Sequence, residues 1–287
     1  MQALTEAYNL YLKHWAILAR CCIILKDFKI NRMKRNIKSL IGFTIGALDG
    51  EIGKVNEFYF DDESWTIRYL VAETGNWLSG RKILLSSDSL LSTDWNNEIF
   101  QVNLTINEIK NSPDIDTEKP IYRQEEIKLN QHYPWRSYWE GALWARSMGT
   151  AGMVIPTPQA MYEEIDVEPA STIDSSFEGN QHLRSTYKIM GYHIEAGDGE
   201  IGKVEDFILD DESWKIDFFV VGIGNWLPGK KVLIAPDLIK EISWLKSVVE
   251  VKASVEIIKN SPIYEFGQSL NVAYTTKLLD YYKAFNF

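Results

Sequence analysis

At 287 residues the chain is long enough for about two domains, and 45% hydrophobic with 13% aromatic residues is a globular composition that excludes a disordered chain. A formal charge of −10 and a pI near 5.0 exclude a broad phosphate-binding surface, because nucleic-acid affinity rests on Lys and Arg displacing counterions. Nucleic acid is therefore not an expected partner.

The charge is uneven. Residues 1–39 hold eight Lys/Arg against Glu6 and Asp27, a balance of +6 that leaves −16 for the rest. This segment reads as a basic leader, with Leu4, Tyr8, Tyr11, Leu12, Trp15 and Leu18 loosely at helical spacing. Met33 opens a run that leads straight into the next segment and would serve as an alternative start. Cys21 and Cys22 both lie in the leader, so no disulfide framework is expected. The apolar run from Trp15 to Leu25 spans about 11 residues and is broken by Arg20, whereas a bilayer takes about 20. The long start containing Glu6 is not that of a signal peptide. The expectation is a cytoplasmic protein without an integral membrane segment.

Beyond the leader the chain repeats itself. Asp49-Gly50-Glu51-Ile52-Gly53-Lys54-Val55 returns unchanged at 198–204, Asp-Asp-Glu-Ser-Trp at 61–65 returns at 210–214, Gly-Asn-Trp-Leu at 75–78 returns at 224–227, and Ile-Lys-Asn-Ser-Pro at 109–113 returns at 258–262. Each copy lies 149 positions after the first, so loop lengths are preserved and the chain holds two copies of one folded unit.

Within a unit, the apolar run from Leu40 ends at Asp49-Gly50, a hairpin signal in which both turn residues take positive φ. The next strand runs to Phe60 and stops at Asp61-Asp62-Glu63-Ser64, residues that favour turns. Trp65 restarts the chain, and Ile67, Tyr69 and Val71 share a core face, as do Ile216, Phe218 and Val220. Gly75 to Gly80 form a shaped hairpin loop before the strand at 81–85, and Asn96-Asn97 turn the chain into a last strand with Phe100, Val102 and Leu104. Short antiparallel strands at this spacing predict a small barrel or sandwich closed to hide its edges. Thr105 to Ile109 reads as one helical turn ended by Pro113. Lys128-Leu129 answers Lys277-Leu278 and His132-Tyr133 answers Tyr281-Tyr282, which places helices at 123–133 and 272–285. Pro156, Pro158, Pro169 and an acidic, Ser-rich run mark a partly disordered linker. The expected organisation is a leader at 1–39, a barrel at 40–113, a helical extension at 114–136, a linker at 137–188, a second barrel at 189–262 and a helical extension at 263–287.

The enzyme readings find little. Of His14, His132, His182 and His193 none is matched in the other copy, position 193 answering Thr44, and the cysteines lie in the leader, so no duplicated His site and no Ser-His-Asp or Cys-His arrangement is expected. Asp49, Glu51, Asp61, Asp62 and Glu63 recur as Asp198, Glu200, Asp210, Asp211 and Glu212; acids of this kind bind cations or do acid–base work, but at hairpin tips they are also what turns require. The structural turns are assigned to Asp49, Gly50, Gly53, Asp61 and Asp62 and to Asp198, Gly199, Gly202, Asp210 and Asp211. Gly50 and Gly53 lie between strands, not between a strand and a helix, so they form no phosphate cradle. No catalytic, cofactor-binding or metal-binding residue is assigned. The candidate partner-binding loops are Gly75, Asn76, Trp77, Leu78 and Lys82, and Gly224, Asn225, Trp226, Leu227 and Lys231, where an exposed tryptophan is an interface anchor. The alternative is that each tryptophan caps its own barrel.

These repeated motifs, with Gly-Asn-Trp-Leu-Pro-Gly-Lys-Lys-Val-Leu-Ile at 224–234, resemble the PRC-barrel family over roughly 40–113 and 189–262. That family is named for the cytoplasmic domain of the photosynthetic reaction-centre H subunit and includes the C-terminal domain of the ribosome maturation factor RimM. The resemblance implies two compact β-barrels used as docking modules, without a common catalytic set. The expected function is a non-enzymatic, cytoplasmic interaction or scaffolding protein whose two equivalent surfaces raise avidity for a protein partner or let the barrels bind each other. The alternatives are a peripheral regulator of a photosynthetic electron-transfer complex, and an accessory factor in ribosome or RNA processing.

Overall fold

Strands dominate the computed structural model, which describes residues 33–78, 80–115, 121, 123–133, 135, 137–138, 182–224, 229–265 and 270–285. The leader helix, both cysteines and most of the linker lie outside the described residues. In chain order the first strands are β1 (Lys34–Asn36), β2 (Thr44–Ala47), β3 (Gly50–Asp61), β4 (Thr66–Glu73), β5 (Lys82–Ser86), β6 (Leu90–Asp94) and β7 (Ile99–Val102). They are followed by β8 (Leu183–Ser185), β9 (His193–Ala196), β10 (Gly199–Asp210), β11 (Ile216–Gly222), β12 (Lys231–Ile234), β13 (Ile239–Ser243), β14 (Val248–Val251) and β15 (Ile263–Tyr264). The helices are α1 (Ile106–Lys110), α2 (Arg123–His132), α3 (Thr186–Ile189), α4 (Val255–Lys259) and α5 (Val272–Lys283).

The protein is mainly β, with two sheets. One has the order β5-β4-β3-β2-β7-β6, and the other has the order β13-β14-β9-β10-β11-β12-β15, so β2 to β7 and β9 to β14 follow the same path. Two features depart from the sequence expectation. Each sheet contains a parallel neighbour, β2 on β7 and β9 on β14, because the strand after the Asn96-Asn97 turn returns beside the first strand of its unit. The hydrogen-bonded path is also open among the described residues, with β5 and β6 at the two ends of the first sheet.

The long strands β3 and β10 organise the cores. Ile52, Val55, Phe58, Tyr59 and Phe60 are buried along β3, as are Ile201, Val204, Phe207, Ile208 and Leu209 along β10. A flat strand buries alternate residues; runs such as 58–60 are buried because bulges between Val55 and Glu57 and between Tyr59 and Phe60 twist it. Helix α2 adds Leu129, with Tyr133 just beyond its end, and α5 adds Leu278 and Tyr282. Burying each leucine stabilises by about 1.5–3 kcal/mol. The Tyr282 hydroxyl donates to the Leu233 carbonyl at 2.9 Å, and the hydroxyls of Tyr281 and Tyr274 donate to the carbonyls of Ile257 and Pro262 at 2.8 and 3.1 Å.

The repeated motif is a hairpin of a different kind from the one its letters suggest. Ala47 pairs with Gly50, so the two loop residues are Leu48 and Asp49, and neither is among the residues of positive φ. Asp49 turns its carboxylate to the Ile106 amide at the start of α1, 2.8 Å away, and Asp198 does the same for the Val255 amide of α4 at 2.9 Å. The glycine that the motif cannot vary is the second one. A Cβ on Gly53 would lie 2.0 Å from the Glu73 carbonyl oxygen, and one on Gly202 would lie 1.9 Å from that of Gly222.

The chain folds into two compact units. One is built on Lys38–Tyr192, the other on the described residues up to Ile37 together with those from His193. The strand β8, which precedes the second repeat in the chain, thus belongs to the first sheet, and β1, which precedes the first repeat, belongs to the second. These strands fall in the segments assigned from sequence to the linker and the leader.

Replacing Gly202 by alanine should cost about 3 kcal/mol in urea unfolding, because backbone has to move. Gly197→Ala, at a position with nothing within 4 Å, should change stability by less than about 1 kcal/mol.

Candidate functional site

Beside the Gly53 bulge the first sheet carries a cleft of about 490 Å³, walled by Glu51 to Lys54 of β3 and by Glu73 to Gly75 at the end of β4. The second sheet carries a cleft of about 500 Å³ walled by the equivalent residues, Glu200 to Lys203 and Gly222 to Gly224, with His193, Glu205, Gly229 and Lys230. Five of these places hold the same residue in both sheets: Glu51 and Glu200, Ile52 and Ile201, Gly53 and Gly202, Lys54 and Lys203, Gly75 and Gly224. The glycines and isoleucines are accounted for by the bulge and the core. The glutamates and lysines are exposed, and packing does not require them.

The clefts also keep a further carboxylate, although its position in the chain has changed. In the first it is Glu73, which accepts from Asn56 Nδ2 at 3.4 Å. In the second, position 73 is answered by Gly222 and Asn56 by Glu205. A Cβ on Gly222 would lie 2.0 Å from Glu205 Oε1, so the Glu205 carboxylate occupies the room that Glu73 fills in the other copy. Glu205 in turn holds Lys231 Nζ at 2.6 Å, and His193 Nδ1 lies 2.7 Å from Glu200 Oε1. Each cleft therefore presents two carboxylates beside a lysine on a rigid, bulged strand. Such a wall makes ion pairs and hydrogen bonds to a partner carrying both signs of charge.

A second cluster lies at the far ends of β3 and β10. Asp61 and Asp210 are buried, and each closes its turn: Glu63 N and Ser64 Oγ donate to Asp61 at 3.0 and 2.6 Å, and Ser213 donates to Asp210 through N and Oγ, both at 2.8 Å. The turn delivers Trp65 and Trp214 at φ 58° and 57°, and Trp65 stacks on Phe60 with ring centroids 5.9 Å apart. Asp62 and Asp211, assigned from sequence to the same turns, lie in them and also bind an arginine. Asp211 Oδ2 accepts from Arg35 Nε at 3.1 Å, and Asp62 Oδ2 accepts from Arg184 Nε. These arginines sit on β1 and β8, docked in the same register, Arg35 opposite Leu209 and Arg184 opposite Phe60. One residue on, Asn36 Nδ2 donates to the buried Asp206 at 2.9 Å, and Ser185 Oγ donates to the buried Glu57. His182 adds Nδ1 and Nε2 at 3.3 Å each from Asp62 and Glu63. Sequence reading assigned no role to Arg35, Arg184, Glu57 or Asp206. The signal was there: the 149-residue offset continues upstream, where Arg35 answers Arg184.

The loop residues fare unevenly. Gly75–Leu78 forms a single 3-10 turn, with Gly75 at a wall of the first cleft and Lys82 opposite Glu73 across the sheet. Asn225, Trp226 and Leu227, and the side chains of Asn76 and Trp77, lie outside the described residues. Among the described residues no cluster of three or more His, Cys, Asp or Glu suits a metal ion, and no helix is long and apolar enough to cross a membrane.

Burial opposes the charge of Lys34, but hydrogen bonds and attraction from Asp217 and Asp210 outweigh it and hold its pKa above the ordinary value. Burial likewise opposes the charge of Asp210, and the bonds from Ser213 and then Lys34 override it, holding its pKa below the usual range. The stability from Asp210 is thus present above the unfolded carboxylate pKa of about 3.9 and is lost as pH falls through the folded value; that from Lys34 is present below about 10.4 and lost as pH rises through its folded value.

Asp49→Ala should lower stability by about 1 kcal/mol, read as a urea midpoint, by leaving the Ile106 amide uncapped. Asp210→Asn should be less stable than the native chain at pH 7 and lose less further stability than the native chain on acidification from pH 5 to pH 2, in the same assay.

The family model of the PRC-barrel domain matches residues 34–105. The match opens on the first residue of β1 and closes on Thr105, whose side chain caps α1. No curated protein matches the chain.

Proposed function

We propose that the chain is a non-enzymatic, cytoplasmic protein-docking module made of two PRC-type barrels in tandem, each presenting the cleft beside its glycine bulge to a protein partner. The observation that carries this reading is the pair of matched clefts. Their exposed Glu and Lys are identical in both copies, and the additional carboxylate is retained even where its position in the chain has moved. Core requirements explain a retained glycine, but a retained exposed charge pattern is what a binding surface requires. Two such clefts in one chain raise the effective concentration of the second contact once the first is made, which suits a partner with repeated features or a second copy of this chain. Among the described residues the cleft walls offer charges of both signs for ion pairing, which supports docking.

The test is capture from native lysate with the full chain as bait. Lys54→Glu/Lys203→Glu should recover its specific protein partner at least about tenfold less than the native chain, with an unchanged melting temperature, since like charges facing each other at an interface cost several kcal/mol. Trp77→Ala/Trp226→Ala tests the two Gly-Asn-Trp-Leu segments in the same way. Equal recovery by both double variants, or no partner with the native bait, overturns the proposal.

A further inference from the structure

The two strand-docking ends have the same backbone and opposite charge patterns. At the end of β10, Lys34 of the docked strand β1 lies 3.0 Å from Asp210 Oδ2 and also bonds Asp217. At the end of β3, the place of Lys34 is taken by Leu183, which is 3% exposed. The place of Asp217 is taken by Arg68, whose Nη2 lies 3.3 Å from Asp61 Oδ2. The buried aspartate has a cation in both cases. In one sheet the docked strand brings it, and in the other the sheet supplies it and the strand brings a methyl-rich side chain. The neighbouring contacts do not differ in this way: Arg35 on Asp211 matches Arg184 on Asp62, and both strands hold the same register.

We propose that residues 34 and 217 in one sheet, and 183 and 68 in the other, form a charge code that assigns each basic strand to the sheet remote from it in the sequence. The backbone ladder and the shared arginine accept either strand, since Lys34-Arg35-Asn36 and Leu183-Arg184-Ser185 offer the same extended shape and the same second residue. The first residue discriminates. Were β1 to dock at the end of β3, Lys34 would meet an aspartate already held by Arg68, two cations on one buried carboxylate. Were β8 to dock at the end of β10, Leu183 would leave Asp210 and Asp217 side by side without their cation. Leaving a buried charge unpaired or like charges together costs far more than a matched pair gains, so the wrong docking is disfavoured on both sheets. The family match begins at residue 34, so the strand that pairs with β10 lies inside the matched stretch. The acidic end of β10 is thus a receptor for a cation-Arg-Asn strand, and the end of β3 for an apolar-Arg-Ser strand. This inference is independent of what the clefts bind.

Hydrogen–deuterium exchange of the full chain, read on peptides covering 33–37 and 182–186, tests the code by two charge-swap cycles. Asp217→Arg should speed exchange in 33–37 at least about tenfold and leave 182–186 unchanged, and adding Lys34→Leu should bring 33–37 back to within about threefold of the native rate. In the other sheet, Leu183→Lys should speed exchange in 182–186 alone, and adding Arg68→Asp should restore it. A merely structural role for these residues predicts that each second substitution adds to the damage. Failure of the second substitution to restore protection in either sheet overturns the proposal; should a single variant unfold, the cycle in the other sheet decides.

Discussion

An arginine held by a mostly buried aspartate at the end of a long strand, Arg35 on Asp211 and Arg184 on Asp62, is the contact on which the arrangement of this chain depends. A three-residue strand cannot hold itself on a sheet through its ladder alone, because each ordered residue costs about 1–2 kcal/mol of backbone entropy. The charge-assisted bond supplies what the ladder lacks, and the acids beneath it need the strand in return. Asp206 and Glu57 are buried, and the groups that reach them from the strands are Asn36 and Ser185. Removing the strand would leave carboxylates in a low-dielectric setting with fewer partners. The dependence is mutual, and each compact unit therefore contains a piece of chain that precedes the other repeat.

The same long strands carry the clefts at their opposite ends. The bulge at Gly53 or Gly202 brings the backbone of β3 or β10 within a Cβ's reach of the neighbouring strand, and this close approach turns Glu51 and Lys54, or Glu200 and Lys203, to the cleft wall. One strand thus does two jobs separated by its length: its first half shapes a polar cleft, and its last residues dock a basic strand and close a turn. The motifs at 49–55 and 61–65 both recur without change, while of Asn56-Glu57-Phe58-Tyr59-Phe60 only the phenylalanine is kept in Glu205-Asp206-Phe207-Ile208-Leu209. The varying part faces a core and a docked strand that have diverged with it.

Much of this was legible in the sequence, for a local reason. Period-two alternation marks residues such as Ile67, Tyr69 and Val71 as one face of a strand whatever lies beyond it, and the recurrence of Leu129 and Tyr133 at Leu278 and Tyr282 marked the two helical tails. The turn residues were legible as turn formers, but their second partners were not. Asp49 caps a helix 57 residues away, and Asp62 binds an arginine 122 residues away. A side chain that satisfies a nearby amide and one that satisfies a distant cation look alike as letters.

The duplication, most strands of each repeat, the two helical tails and many core residues follow from spacing and side-chain chemistry within a few turns of chain, whereas the short strands β1, β8 and β15 do not. Which strand completes which sheet, the open path with its parallel neighbour, and the meeting of Glu205 with the space above Gly222 emerge in the folded chain alone. Those depend on groups far apart in the chain satisfying one another's charge and volume. The offset of 149 makes Arg35 equivalent to Arg184, but equivalence says nothing of which sheet receives either. The answer is set by complementarity of Lys34 with Asp217 and of Leu183 with Arg68, which exists only once the backbone has brought them together.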